Sequence, residues 1–218
     1  MLSYSEENHL KAIFHLSVNN ESGVNTNSIA SKMNSKAPSV TEMLKKLSEK
    51  DLVVYKKYQG VLLTDFGRKT ALSVIRKHRL WEVFLVEKLN FKWDEVHDIA
   101  EQLEHIKSEK LTNELDKFLD YPTKDPHGDP IPNPAGFIKY TAKLVLSDLL
   151  IGETGKFVGV KDSSSTFLKY LDKREISLGS NIKVIHKEEF DESIHIGLVE
   201  TNLSISVKSA ANIYVTKL

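Results

Sequence analysis

Apolar residues follow a helical period through roughly the first 120 residues and a strand-like period after about Leu144. Leu10, Ile13, Phe14 and Leu16 form the apolar face of a helix predicted from Ser5 to about Val18, stopped by the turn cluster Asn19–Gly23. Asn25 to Ser28 offer N-cap residues for a short helix over Ile29–Met33, and Asn34 to Ala37 interrupt it. Pro38 opens a third helix running to Lys50, where its missing N–H costs little, with Val40, Met43, Leu44 and Leu47 facing inward. Two β-rich runs between Leu52 and Thr64, with Gly60 in the turn, predict a hairpin. This order is that of a winged helix-turn-helix, whose third helix lies in the major groove and whose hairpin meets phosphates. Lys45, Lys46, Lys56 and Lys57 are the matching phosphate partners; the plainer alternative is ordinary surface lysines.

The helix from about Lys69 to Leu89 is apolar nearly all round, so it must be buried on most sides, as in a dimer core. His78 and Glu82 interrupt it at i and i+4. Asp94 and Glu95 open a further helix over Val96–Ile106, and another runs from about Ser108 to Leu119. The rigid loop Tyr121–Pro134 holds five of the six prolines and ends the helical part. Short β runs follow at Phe157–Val160, Asn181–Ile185, Ile194–Ile196, Ser204–Val207 and Asn212–Val215, with one short helix from Thr166 to Asp172. Together they predict a small barrel. The fold class is mainly α with small β parts.

The 218 residues, 40% hydrophobic, are enough for two or three small domains with real cores. No basic head precedes an apolar run at the N-terminus and no stretch approaches a membrane span, so a cytoplasmic protein without membrane association is expected. The absence of cysteine excludes disulfides, thiolate nucleophiles and cysteine-based metal sites, leaving nitrogen and oxygen as the only metal donors. The net charge is zero but unevenly spread: Gly23–Thr70 carries nine Lys/Arg against four Asp/Glu, and Glu87–Asp129 six Lys against twelve Asp/Glu. A basic module beside an acidic one suits a polyanion-binding unit and a cation-binding unit.

Within Val96–Ile106 the apolar residues make one helical stripe, and His97, Glu101, Glu104 and His105 cluster on the other side. Two imidazoles and two carboxylates on adjacent turns suit a divalent cation, whereas a solvated polar face is the alternative for an isolated helix. A metallohydrolase using Glu101 or Glu104 as base is a further reading, but no separate nucleophile or oxyanion motif accompanies it, so no enzyme and no small organic substrate is expected.

Arg76-Lys77-His78-Arg79-Leu80, Val96-His97-Asp98, Glu104-His105 and Pro126-His127-Gly128-Asp129-Pro130-Ile131-Pro132, in this order, closely resemble the metal-dependent repressors typified by the diphtheria toxin repressor and the manganese transport regulators. The resemblance implies a winged helix-turn-helix DNA-binding domain over 1–70, a helical metal-binding and dimerisation domain over 71–140, and an SH3-like (FeoA-like) β-barrel domain over 144–218. It further implies a homodimer that binds Mn2+ or Fe2+ and then grips operator DNA to control metal-uptake genes. By position, Glu101, Glu104, His105 and His78 match ligands of a principal site, and Asn8 falls where other members have Asp or Met. For a second site the resemblance points to Glu82, to His97 in one branch, and to Asp125, His127 and Asp162 in another. Glu101 stands where manganese-type members place a carboxylate and iron-type members Cys, so Mn2+ is the first expectation and Fe2+ the second. For DNA contact the resemblance points to Lys36, Pro38, Ser39, Thr41 and Lys46. The competing class is a metal-independent winged-helix DNA-binding protein.

Overall fold

The computed structural model describes residues 2–18, 23–56, 60–199 and 201–218. The predicted turns at Asn19–Ser22 and Tyr58–Gln59, and Lys57, lie outside them. The chain divides into two compact units. One comprises Met1–Trp81, Ala100–Asp120 and Ile131–Ile138; the other comprises Glu82–Ile99, Tyr121–Pro130 and Lys139–Leu218.

The first unit opens with α1 (Tyr4–Ser17), set by a capping box in which Ser3 and Glu6 satisfy each other's backbone N–H. Asn25 caps α2 (Thr26–Lys32) through its side chain, and Pro38 occupies the first turn of α3 (Ala37–Glu49). Strands β1 (Val53–Lys56) and β2 (Gly60–Leu63) pair antiparallel, Val53 opposite Leu63. Leu10, Ile13, Ile29, Val40, Leu44, Leu47 and Leu52 make one core. Leu44 and Leu47 are fully buried, each stabilising α3 against that core by about 1.5–3 kcal/mol. The helix–helix–helix–hairpin order matches the expected winged helix. Lys50 Nζ donates to Glu6 Oε1 at 2.5 Å, tying the end of α3 to the start of α1.

Helix α4 (Asp65–Leu89) begins a turn earlier than expected because Thr64 Oγ1 accepts the Gly67 N–H at 3.0 Å. Residues Val74–Leu80 of α4 are all buried, including the charged Arg76, Lys77, His78 and Arg79 that interrupt its apolar pattern. Helix α5 (His97–Leu103) is shorter than the predicted Val96–Ile106. Glu104 N–H still reaches Ala100 O at 2.8 Å, but Ile106 N–H turns to Leu103 O, and Glu104 and His105 sit in the resulting turn. Ser108 caps α6 (Glu109–Phe118). Within the first unit, Arg76 donates to Asp116 Oδ2 at 2.7 Å and to Pro132 O at 2.8 Å, a buried pair joining α4, α6 and the proline segment.

In the second unit, β3 (Leu144–Val145), β4 (Thr154–Val160), β5 (Asn181–Lys187), β6 (Ser193–Gly197), β7 (Asn202–Ser206) and β8 (Ile213–Lys217) form an antiparallel sheet. Their order is β3-β8-β4-β5-β6-β7. The edge strands β3 and β7 do not pair with each other among the described residues, so the expected barrel is an open sheet. Helices α7 (Ser165–Asp172) and α8 (Val207–Ala210) cover its core through Leu168, Leu171 and Ala210. Val207, predicted as strand, opens α8 because Ser206 caps that turn.

Candidate metal centre

The first unit gathers a cluster of ionisable side chains from four places. Glu101 comes from α5, Glu104 and His105 from the turn after it, His78 from α4, and Glu7 and Lys11 from α1. Glu104 is wholly buried, so the reading of this stretch as a solvated face fails for its central carboxylate. His78 Nδ1 lies 2.6 Å from Glu104 Oε2 and 4.0 Å from Glu101 Oε1. His105 Nδ1 lies 2.6 Å from Glu7 Oε2, and its Nε2 lies 3.8 Å from Glu104 Oε1. Glu7 therefore orients the His105 ring so that Nε2 faces Glu104, the carboxylate–histidine arrangement that usually backs a metal ligand. Tyr4 stacks on the same ring at 4.4 Å, and Lys107 holds the other oxygen of Glu7.

Lys11 supplies the positive charge of the cluster. Its Nζ donates to Glu104 Oε1 at 2.7 Å and Oε2 at 2.8 Å, and also to Glu101 Oε1. Neither Lys11 nor Glu7 was a sequence candidate. Lys11 lies three residues after Asn8 and four after Glu7, so a helical-wheel reading of α1 groups Lys11 with each of them, whereas Glu7, adjacent to Asn8 in sequence, points to a different side of the helix. Asn8 Oδ1 is a buried acceptor without a hydrogen-bond partner. The carboxylates and imidazoles just described are donors fit for a hard divalent cation, and an orphaned buried amide oxygen on α1 is a donor of the same kind.

The second unit holds a group of its own. Glu82, Asp125 and His127 are all buried and present one ligand atom each, all within 4.8 Å of one another. The loop Lys124–Pro130 delivers two of them: Lys124 bridges Pro130, and Asp125 Oδ1 accepts the N–H groups of His127 at 2.8 Å and Asp129 at 3.0 Å. His127 Nε2 sits 2.8 Å from Trp93 O, directing Nδ1 to Glu82 Oε2 at 3.5 Å. Burial works to lower the His127 pKa, but the hydrogen bond and charge of Glu82, the charge of Asp125 and the Trp93 carbonyl outweigh it and raise it to about 9. His97, exposed on α5, reaches Glu82 Oε1 at 3.6 Å. Asp162 stands outside the group: it is exposed, and its Oδ1 accepts the Ser164 N–H at 2.9 Å in the turn before α7.

On the winged helix, Lys36, Pro38 and Ser39 are exposed at the start of α3, and Lys45 and Lys46 on its outer face. Thr41 Oγ1 donates back to Ala37 O at 3.0 Å and lines a depression with Asn27, Ser28, Ser31 and Tyr55. Lys45 differs from the others because it donates to Glu42 at 2.8 Å, leaving that pair with little net charge. Lys56 is exposed at the end of β1.

A winged helix carrying exposed lysines, in a chain that also buries two carboxylate–imidazole clusters, defines a metal-responsive DNA-binding protein. Family models for the iron dependent repressor N-terminal DNA binding domain and for its metal binding and dimerisation domain match residues 1–61 and 64–133, and a FeoA domain model matches 144–217. A manganese-dependent transcriptional repressor solved with manganese is 34% identical, covers 98% of this chain and 100% of its own, and superposes with a TM-score of 0.88. ScaR with bound Cd2+ is 32% identical with a TM-score of 0.80, covering 98% of this chain and 99% of its own. The iron-dependent repressor IdeR of Mycobacterium tuberculosis is 36% identical over 104 residues, 48% of this chain and 45% of that protein, so the match spans less than half of that relative. The chain belongs to this family of metal-dependent transcriptional repressors, which are DNA-binding regulators and not enzymes. No helix among the described residues is long and apolar enough to cross a membrane.

Proposed function

We propose that the chain is a Mn2+-responsive repressor, with Fe2+ the second choice of metal, acting in the cytoplasm as a homodimer on operator DNA of metal-uptake genes. The observation that carries this reading is the cluster of half-buried Glu101 with buried Glu104, His105 and His78, nitrogen and oxygen donors brought within 4.0 Å of one another in pairs. Asn8, with a buried oxygen lacking a partner, is the donor expected from α1. These residues form the principal site; Glu82, Asp125 and His127, with His97 beside Glu82, form the second. When bound, a divalent ion supplies the positive charge that clustered carboxylates need. Glu7 keeps His105 turned inward, and α1 leads directly into the DNA-reading helices. The relative stability of two placements of α1 therefore biases the spacing of two recognition helices toward half-sites about one turn of DNA apart. Lys36, Ser39, Thr41 and Lys46 face the DNA in this reading. Metal and operator strengthen each other's binding reciprocally.

The test is binding to a palindromic site in the promoter beside its own gene, with Mn2+ or with a chelator, for the wild type and Glu104→Gln. Tightening by Mn2+ that Glu104→Gln abolishes supports the reading; equal affinity in both conditions sinks it. One observation favours a metal-independent winged-helix protein instead: Lys11 already pairs with both Glu101 and Glu104 and offsets one of their two negative charges. Flat calorimetric titrations with Mn2+, Fe2+ and Zn2+ would establish that alternative.

A further inference from the structure

Lys11 is an unusual residue to find at the centre of a cation site. Its side chain is only 13% exposed, and its ammonium meets three carboxylate oxygens, two from the wholly buried Glu104 and one from Glu101. These oxygens are the hard donors of the principal site. Hydrogen bonds at 2.7 and 2.8 Å place the nitrogen against both oxygens of Glu104, where a divalent ion would need them at roughly 2.0–2.6 Å. Nitrogen and metal cannot share that position.

We propose that Lys11 is a tethered cation: it holds Glu101 and Glu104 together in the metal-free protein and withdraws when a divalent ion binds, so that it sets the metal concentration at which the protein responds. The inference rests on the reading of this cluster as the metal site. Its physical basis is that a carboxylate as deeply buried as Glu104 needs a compensating charge even without metal. Lys11 provides it, which preserves the fold, and metal binding must then offset the contacts Lys11 gives up. Because Lys11 belongs to α1, its release also removes one of the attachments of that helix to the Glu101–Glu104 segment. The Glu7–His105 contact remains to carry the helix in the metal-bound protein.

Two measurements test this. Lysine acetylation of the full-length wild type, mapped by mass spectrometry, should show Lys11 several-fold more reactive in saturating Mn2+ than in chelator, with the exposed Lys110 unchanged. Lys11→Met should bind Mn2+ at least about tenfold more tightly by calorimetry, within the range of ordinary coupling between sites, and should melt at lower temperature in chelator. Unchanged Lys11 labelling in protein that binds Mn2+ overturns the inference whatever the variant does, and so does an equal or weaker Mn2+ affinity in Lys11→Met. If the wild type binds no Mn2+, both this inference and the functional reading fall; if it binds Mn2+ and Glu104→Gln abolishes binding, only the role of Lys11 is in question. Should Lys11→Met fail to fold, the wild-type labelling decides.

Discussion

Gly128→Ala should detach the second cluster from the sheet that supports it. Gly128 has φ +88°, and a Cβ there would lie 2.1 Å from Val158 O and 2.5 Å from Gly159 Cα. Both atoms belong to the backbone of β4, so neither can move aside as a side-chain tip would. The approach is reciprocal, since a Cβ on Gly159 would meet His127 O at 2.9 Å. The left-handed conformation costs an alanine about 1–2 kcal/mol, and the overlap about 1–3 kcal/mol more. Lifting the loop breaks the Val160 N–H to His127 O hydrogen bond of 3.0 Å, worth about 0.5–1.5 kcal/mol. Strain and overlap together, about 2–5 kcal/mol, exceed the roughly 0.5–1.5 kcal/mol given up with that hydrogen bond, so a displaced loop is favoured, and Asp125 and His127 leave Glu82 with it. Gly152 is the control: its φ is +89° with nothing within 4 Å of its Cβ, so Gly152→Ala pays only the conformational cost. In Mn2+ calorimetry, Gly128→Ala should lose the step from Glu82, Asp125 and His127 while keeping that from Glu101, Glu104 and His105, and should unfold at lower urea than Gly152→Ala. Two wild-type binding steps and the same unfolding midpoint as the control would refute the close-approach argument.

The raised pKa of His127, about 9, makes the metal-free protein sensitive to alkali. A histidine stabilised in its charged form contributes fully below about pH 6.5, and that contribution of at most about 3 kcal/mol is lost as pH rises through 9. Urea unfolding in chelator at pH 6, 7.5 and 9 should show this decline, and His127→Gln should flatten it; parallel pH dependences would refute the assignment. Lys46→Ala should weaken operator binding and reduce the slope of log K against log salt by about 1. Lys45→Ala should do less, because Lys45 is already paired with Glu42, and equal effects in gel-shift titrations at several salt concentrations would contradict that ranking.

The helices and the hairpin were legible because each carries a strong local signal: Asn25 before α2, Pro38 at the start of α3, and apolar residues nearly all round α4, which demand its burial. Helix α5 was overextended because periodicity continues through Ile106 although hydrogen bonding does not. That error changed the meaning of Glu104, which leaves the polar face of a helix and becomes the most buried group of its cluster. Barrel closure depends on how distant strands meet, and strand periodicity carries no such information.

The deeper omission concerns charge balance. A search for ligands collects acids and histidines, yet buried acids cannot stand alone. In the first unit the compensating charge is Lys11, on a helix distant in sequence from Glu101 and Glu104. In the second it is the imidazole of His127, which faces Glu82 and whose pKa the hydrogen bond and charge of Glu82 and the charge of Asp125 raise to about 9. Each cluster thus keeps a cation of its own, one tethered and one dissociable, and metal affinity is a difference between two occupied states. The two clusters should accordingly respond differently to solution conditions. Mn2+ uptake beside His127 should release about one proton per ion below pH 9, whereas uptake at Glu104 releases lysine and not a proton from that position. Calorimetry in two buffers of different ionisation enthalpy separates the two steps, and identical proton release from both would show that the counter-charges have been misassigned.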